Sequence, residues 1–146
     1  MDATIISAII ATVISAIISS IISLNIANKK NVKDEEARLN QQILELNKIA
    51  IAYPYLEDDE FCNSWAKQKK QIDEKYMRYE NYCCIVFNLL EQIYKLYNGN
   101  IEKINNLIYV EELAKRHKAW WNNPVGAREN IEGYMPPFRE FIKKFQ

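Results

Sequence analysis

Four side chains in this sequence carry specific chemistry: His117, the only histidine, and the three cysteines Cys62, Cys83 and Cys84. A thiol beside an imidazole is a nucleophile with its base, and the same two residue types ligate zinc. The spacing supports neither use by itself. There is no CxxC and no second histidine to complete a zinc signature. A Cys–His pair meets only in the fold, so an enzyme using Cys62, Cys83 or Cys84 with His117 stands as the third reading. Cys83 falls on an apolar helical stripe and is expected to be an inert core thiol. His117 is expected on a helix, partly exposed. Glu57-Asp58-Asp59-Glu60 puts four carboxylates in a row. A calcium loop would need spaced ligands and a central glycine, so this run is expected to open a helix, capped by Asp58 or Asp59. The phosphate-cradling glycine loop, G-x-S-x-G and H-E-x-x-H are all absent. No catalytic residue, metal or cofactor is expected, and the chain is not expected to be an enzyme.

The elements around these residues begin with an unusual run. Residues 3–28 contain no charge, proline or glycine. About 20 apolar residues suffice for a helix to cross a bilayer. Split by fours, the run reads ATII, SAII, ATVI, SAII, SSII, SLNI, AN. Every fourth residue is small: Ala3, Ser7, Ala11, Ser15, Ser19, Ser23 and Ala27. Small residues at this spacing let membrane helices approach closely. No Lys or Arg precedes the run, as one would in a secretory signal, and the apolar stretch is longer than a signal core. The run is therefore expected to be a transmembrane helix that self-associates. Lys29, Lys30 and Lys33 follow it, against Asp2 before it. This asymmetry predicts an N-terminus outside and a C-terminal domain in the cytoplasm, at the inner (cell) membrane. Unpaired cysteines suit that compartment. A water-filled pore is a further extension, and no charge lies in the span to mark an ion path.

No proline or glycine interrupts residues 28–52, so the anchor is expected to run on into a second helix or to hinge near residues 25–31, and the rest reads as helices. Leu39, Ile43, Leu46 and Ala50 form one apolar stripe ended by Pro54. The clearest helix is predicted over 68–97. There Ile72, Tyr76, Tyr79, Cys83, Val86, Leu90, Ile93 and Tyr97 recur at alternating spacings of four and three. Gly99 suits a helix C-terminus and Asn100 the next N-cap. One further helix is expected from Ile101 to Trp121, then a short one from Asn123-Pro124 to Gly133. The last, opened by Pro136-Pro137, has Phe138, Phe141, Ile142 and Phe145 on one face and is expected to dock on the bundle. Of the adjacent Trp120 and Trp121, one is expected in the core and the other facing a protein partner or headgroups. Nineteen basic against nineteen acidic residues argue against general nucleic-acid binding. The fold class is thus all-α: a transmembrane anchor at 1–28, then a small cytoplasmic helical bundle at 29–146.

The segments YPYLEDDEFCNSW, YENYCCIVFNLLEQIY and HKAWWNNP, within this plan, resemble small bacterial single-span membrane proteins with a cytoplasmic helical domain of undefined function. Some proteins with that plan are antiviral-defence membrane effectors, including CRISPR-associated ones that assemble into rings. Arg116-His117 also resembles the Arg/His pairs of helical HEPN ribonuclease domains, but those pairs are spaced and these residues are adjacent. The resemblance implies a self-associating membrane protein with a sensing or interaction domain, acting as a pore-forming effector. The alternative is a monomeric tether presenting a protein-binding module. The expected partners are the lipid bilayer, further copies of the chain and a cytoplasmic protein.

Overall fold

The computed structural model describes residues 3–68, 74–123 and 131–146, with side chains described from Ile18 onward except at 66 and 68. Among these residues the protein is entirely helical and turn, with no strand. Helix α1 runs unbroken over Ala3–Ala52. Of the two courses open near residues 25–31, the helix runs on and does not hinge. No proline or glycine interrupts the segment, and Ala27, Lys29 and Lys30 are good helix formers that carry the chain past Asn25, Asn28 and Asn31. Two compact units divide within α1, residues 1–38 and residues 39–146, ten residues beyond the boundary expected from charge.

In the first unit, Ile18, Ile21, Ile22, Leu24 and Ile26 are exposed, at 52–63% of their surface. Ser19, Ser23, Ala27, Lys29, Lys30 and Lys33 are exposed as well. The side chains of Ala3, Ser7, Ala11 and Ser15 lie outside the described residues. Among the described residues no helix is long and apolar enough to cross a membrane.

The second unit holds the core. Tyr53-Pro54 ends α1, and proline opens a 3-10 turn over Pro54–Glu57. Helix α2 follows at Asp59–Gln68. Its start is fastened by Asp58, whose Oδ1 accepts from the Phe61 amide at 2.8 Å, the cap expected of this acidic run. Helix α3, Glu74–Tyr97, is the central element. Tyr76, Tyr79, Cys83, Val86, Leu90 and Ile93 are buried as their spacing requires, joined by Tyr82, Phe87 and Leu89. Ile72 lies outside the described residues. From α1, Leu39 and Leu46 are buried against this core, with Ile43 and Ala50 at its edge.

Helix α3 ends where Asn98 and Gly99 both take positive φ, 50° and 73°. Asn100 then caps α4, Ile101–Asn105, accepting from the Lys103 amide at 3.1 Å. The single helix expected from Ile101 to Trp121 is instead three: α4, then α5 at Val110–Arg116 and α6 at Lys118–Trp121. The break after Asn105 falls at Asn105-Asn106, residues that favour turns over helix interiors. The chain restarts at Val110, with Glu111 and Glu112 at the favourable end of the helix dipole. Residue 117, between α5 and α6, departs from helical geometry at φ −97°, ψ 16°, though its amide still donates to the Leu113 carbonyl and its carbonyl accepts from the Trp121 amide.

Helix α7, Pro136–Lys143, closes the bundle with Phe138, Phe141 and Ile142 buried, as the one-sided spacing of its rings requires. The expected short helix from Asn123 lies largely outside the described residues. Its end is a 3-10 turn at Ile131–Gly133. Aromatic rings knit the packing. Phe87 stacks on Trp120 with centroids 5.4 Å apart and meets Trp121 at 4.4 Å. Trp121 reaches Tyr134 at 5.2 Å, and Tyr94 meets Phe141 at 5.0 Å. Such pairs contribute about 0.5–1.5 kcal/mol each beyond area burial.

Candidate functional site

The most concentrated chemistry in residues 39–146 surrounds His117. The imidazole is fully buried, which corrects its expected place on a partly exposed helix face. The reason is periodic: Val110, Ala114, His117 and Trp121 fall at spacings of four, three and four on the buried face, while Arg116, the residue before His117, stays near the surface. His117 Nδ1 lies 3.0 Å from the Tyr79 hydroxyl and 3.9 Å from Cys62 Sγ. Its Nε2 faces a Glu57 carboxylate oxygen at 3.6 Å and makes no hydrogen bond.

Each partner comes from a different element. The 3-10 turn supplies Glu57, because Pro54 bends the chain directly after α1. Cys62 stands on the first turns of α2 and donates to the Leu56 carbonyl at 3.3 Å. Tyr79 and Tyr82 project from α3 one turn apart. The Tyr82 hydroxyl donates to Glu57. Arg116, at the end of α5, spreads over three carboxylates: Nη1 to Glu57 at 2.5 Å, Nη2 to Glu112 at 2.6 Å and Nε to Asp59 at 3.1 Å. One guanidinium thus ties the 3-10 turn, α2 and α5 together with the geometry that charge-assisted bonds favour.

These contacts fix the proton inventory. Burial works to raise the Glu57 carboxyl, but the His117 ring, the Tyr82 hydroxyl and Arg116 outweigh it and hold the group down at about 2. Burial pushes the Cys62 thiol up to about 11 despite the Tyr79 hydroxyl beside it. Burial also raises Cys83, Tyr79 and Tyr82. Desolvation opposes the charge on Arg116, yet its carboxylate partners raise it.

The fold therefore brings Cys62 and His117 together, with a carboxylate behind the far ring nitrogen. The order is that of a nucleophile, its base and an orienting acid. The state is not that of a working nucleophile: Cys62 is fully buried and its thiol is the stable form. Cys83 is buried nearby, as its stripe position implies, and Cys84 is half-buried. What this arrangement does is seal a polar network inside an aromatic core, with Tyr79 and Tyr82 ringing His117 at 5.7 Å between centroids. Among the described residues no three His, Cys, Asp or Glu side chains converge on a metal position.

Trp120 and Trp121 are both in the core, at 0% and 4% exposure. This corrects the assignment of one of them to a partner surface. Both are taken up by Phe87, since the one-turn α6 turns both indoles toward α3. The contacts of Glu57 and Arg116 with His117's neighbourhood escaped sequence reasoning, because they join positions about sixty residues apart. The one available signal was an arginine preceding the only histidine, with an acidic run elsewhere to receive it.

Beside the network, a cleft of about 440 Å³ opens between α1, the 107–109 connection and α5, with Glu57, Tyr82 and Arg116 at its polar end. Comparison of the chain with known protein families, curated proteins and solved structures found no match.

Proposed function

We propose that this protein is a self-associating membrane-anchored helical module. Residues 3–28 enter the bilayer, and residues 39–146 form a folded domain on the cytoplasmic side that receives a partner or ligand. One observation carries the reading. The second unit exposes Leu44, Ile51, Met77 and Ile85 but buries a core beside them, while the described part of the uncharged run leaves Ile18, Ile21, Ile22, Leu24 and Ile26 all uncovered within nine residues of a continuous helix. Surface of that kind on a chain in water is costly, at about 25 cal/mol per Å², and lipid or a sister helix removes the cost. The small-residue register at Ala3, Ser7, Ala11, Ser15, Ser19, Ser23 and Ala27 supports association of helices within the membrane. Lys29, Lys30 and Lys33 support a cytoplasmic C-terminal domain.

The test has two parts. Membranes from expressing cells are washed with alkaline carbonate. The protein is expected to stay in the pellet, and its release into the aqueous fraction ends the reading. The mass in detergent is then measured by light scattering for the natural chain and for Ala11→Ile with Ser15→Ile. A multimer that falls to monomer in the variant supports association through the small-residue face. A natural chain that is monomeric leaves a tether only.

A further inference from the structure

We propose that the cleft beside Arg116 is a binding site for a small primary amine carrying an apolar body. Its volume, about 440 Å³, falls in the ~300–1,000 Å³ range of small-molecule sites. One wall is apolar and comes mainly from α1 through Ile43, Leu46 and Ala50, faced by Ile108 and Leu113. The other end is polar and carries Glu57, Glu112 and Arg116. A site that pairs an apolar wall with a few converging polar groups selects an amphipathic ligand.

The sign of the ligand follows from the pairing of Arg116. The guanidinium is bonded on all three of its nitrogens by Asp59, Glu57 and Glu112. An incoming carboxylate or phosphate would meet a donor fork already in use and three carboxylates around it. An ammonium meets an excess of acceptors, since three carboxylates surround one cation and two of them, Glu57 and Glu112, line the cleft. Each Glu57 oxygen accepts one hydrogen bond from within the protein, one from the Tyr82 hydroxyl and the other from Arg116, and a carboxylate oxygen has a second lone pair to offer. Glu57 is ionised at every physiological pH, held down at about 2. Three donors on one ammonium suit two carboxylates spaced across a single guanidinium.

The site belongs entirely to residues 39–146 and does not depend on what residues 3–28 do, so the membrane reading and this one fail separately. The full-length chain, in detergent, is titrated near neutral pH with benzylamine, benzyl alcohol and benzoate, three probes sharing one ring. Binding is read by saturation-transfer NMR and calorimetry. Benzylamine is expected to bind at least about tenfold more tightly than benzyl alcohol, a difference of about 1.4 kcal/mol, with benzoate weaker still. Glu112→Gln, a neutral replacement at a half-exposed position, is expected to erase most of that preference. Ala50→Trp, which fills the apolar wall, is expected to abolish binding. The proposal is overturned if benzylamine binds no better than the alcohol, if benzoate binds best, if none of the three binds at millimolar concentration, or if benzylamine binding survives both substitutions unchanged. The comparison of the three probes on the natural chain decides the charge selection even where a variant fails to fold.

Discussion

Replacing Glu57 by glutamine isolates the electrostatics of the buried network. The substitution preserves the shape of the side chain and leaves an oxygen to accept from Tyr82. It removes the charge that Arg116 and the His117 ring share. The Glu57 carboxyl titrates at about 2 in the folded protein against 4.5 in the open chain. That difference corresponds to about 3 kcal/mol. Because the group is about a quarter exposed, and because Asp59 and Glu112 continue to hold Arg116, a loss of about 1–3 kcal/mol is expected at neutral pH. The direction with pH follows from the lowered titration. The contribution is complete above pH 4.5 and fades as pH falls toward 2. The assay is urea unfolding followed by tryptophan fluorescence. Trp65, Trp120 and Trp121 all lie in residues 39–146, so the signal reads the bundle whatever the first unit does. Other carboxylates titrate in the same range, but they do so in both proteins, and the difference between natural chain and variant isolates this one. A gap that begins to shrink below about pH 5 and keeps closing toward pH 2 supports the network as described. A gap that stays constant across that range refutes the assignment of Glu57 as an ionised partner of Arg116 and His117.

Two other outcomes follow from the same packing. Gly99→Ala is expected to cost about 1–2 kcal/mol or more by the same urea assay, since φ is +73° and a Cβ there would meet the Tyr94 ring at 2.8 Å; a neutral substitution would show that the α3–α4 turn differs. Iodoacetamide at mildly alkaline pH is expected to modify Cys84 in the folded protein and spare the buried Cys62 and Cys83, with all three modified in denaturant. Rapid modification of Cys62, read by mass spectrometry, would mean that the core around His117 opens.

The parts of this fold visible in the sequence are those that repeat locally. Tyr76 through Ile93 declare the buried face of α3 by spacing alone, and Phe138, Phe141 and Ile142 do the same for α7. Asp58 and Asn100 announce helix starts because a cap needs only the next three residues. The division of 101–121 into three pieces was not visible. Ile101, Ile104, Leu107 and Ile108 keep helical spacing straight through the break, so periodicity has no means of marking it. The unbroken course of α1 past Asn25–Asn31 shows the reverse: weak helix formers were tolerated where no glycine or proline forced a stop. The network around His117 was the least accessible. Its members lie on four elements; the burial of His117 is marked locally by its spacing from Val110, Ala114 and Trp121, but its partners Glu57, Cys62 and Tyr79 are joined to it only by tertiary packing. The same holds for the cleft, whose two walls are separated in sequence by more than fifty positions.

Helix α6 is one turn long, too short to persist in water by its own backbone bonds. Its existence is therefore borrowed from Phe87, which receives both of its indoles, and from Tyr134 and Phe138 beyond them, which press on Trp121. During synthesis those last rings emerge after everything they support. Until Phe138 leaves the ribosome, Trp121 has no lid, and the earlier helices carry a wet aromatic wound. A chain ending before α7 is accordingly expected to leave Trp121 wet while Phe87 still covers Trp120, read as a red shift in tryptophan emission.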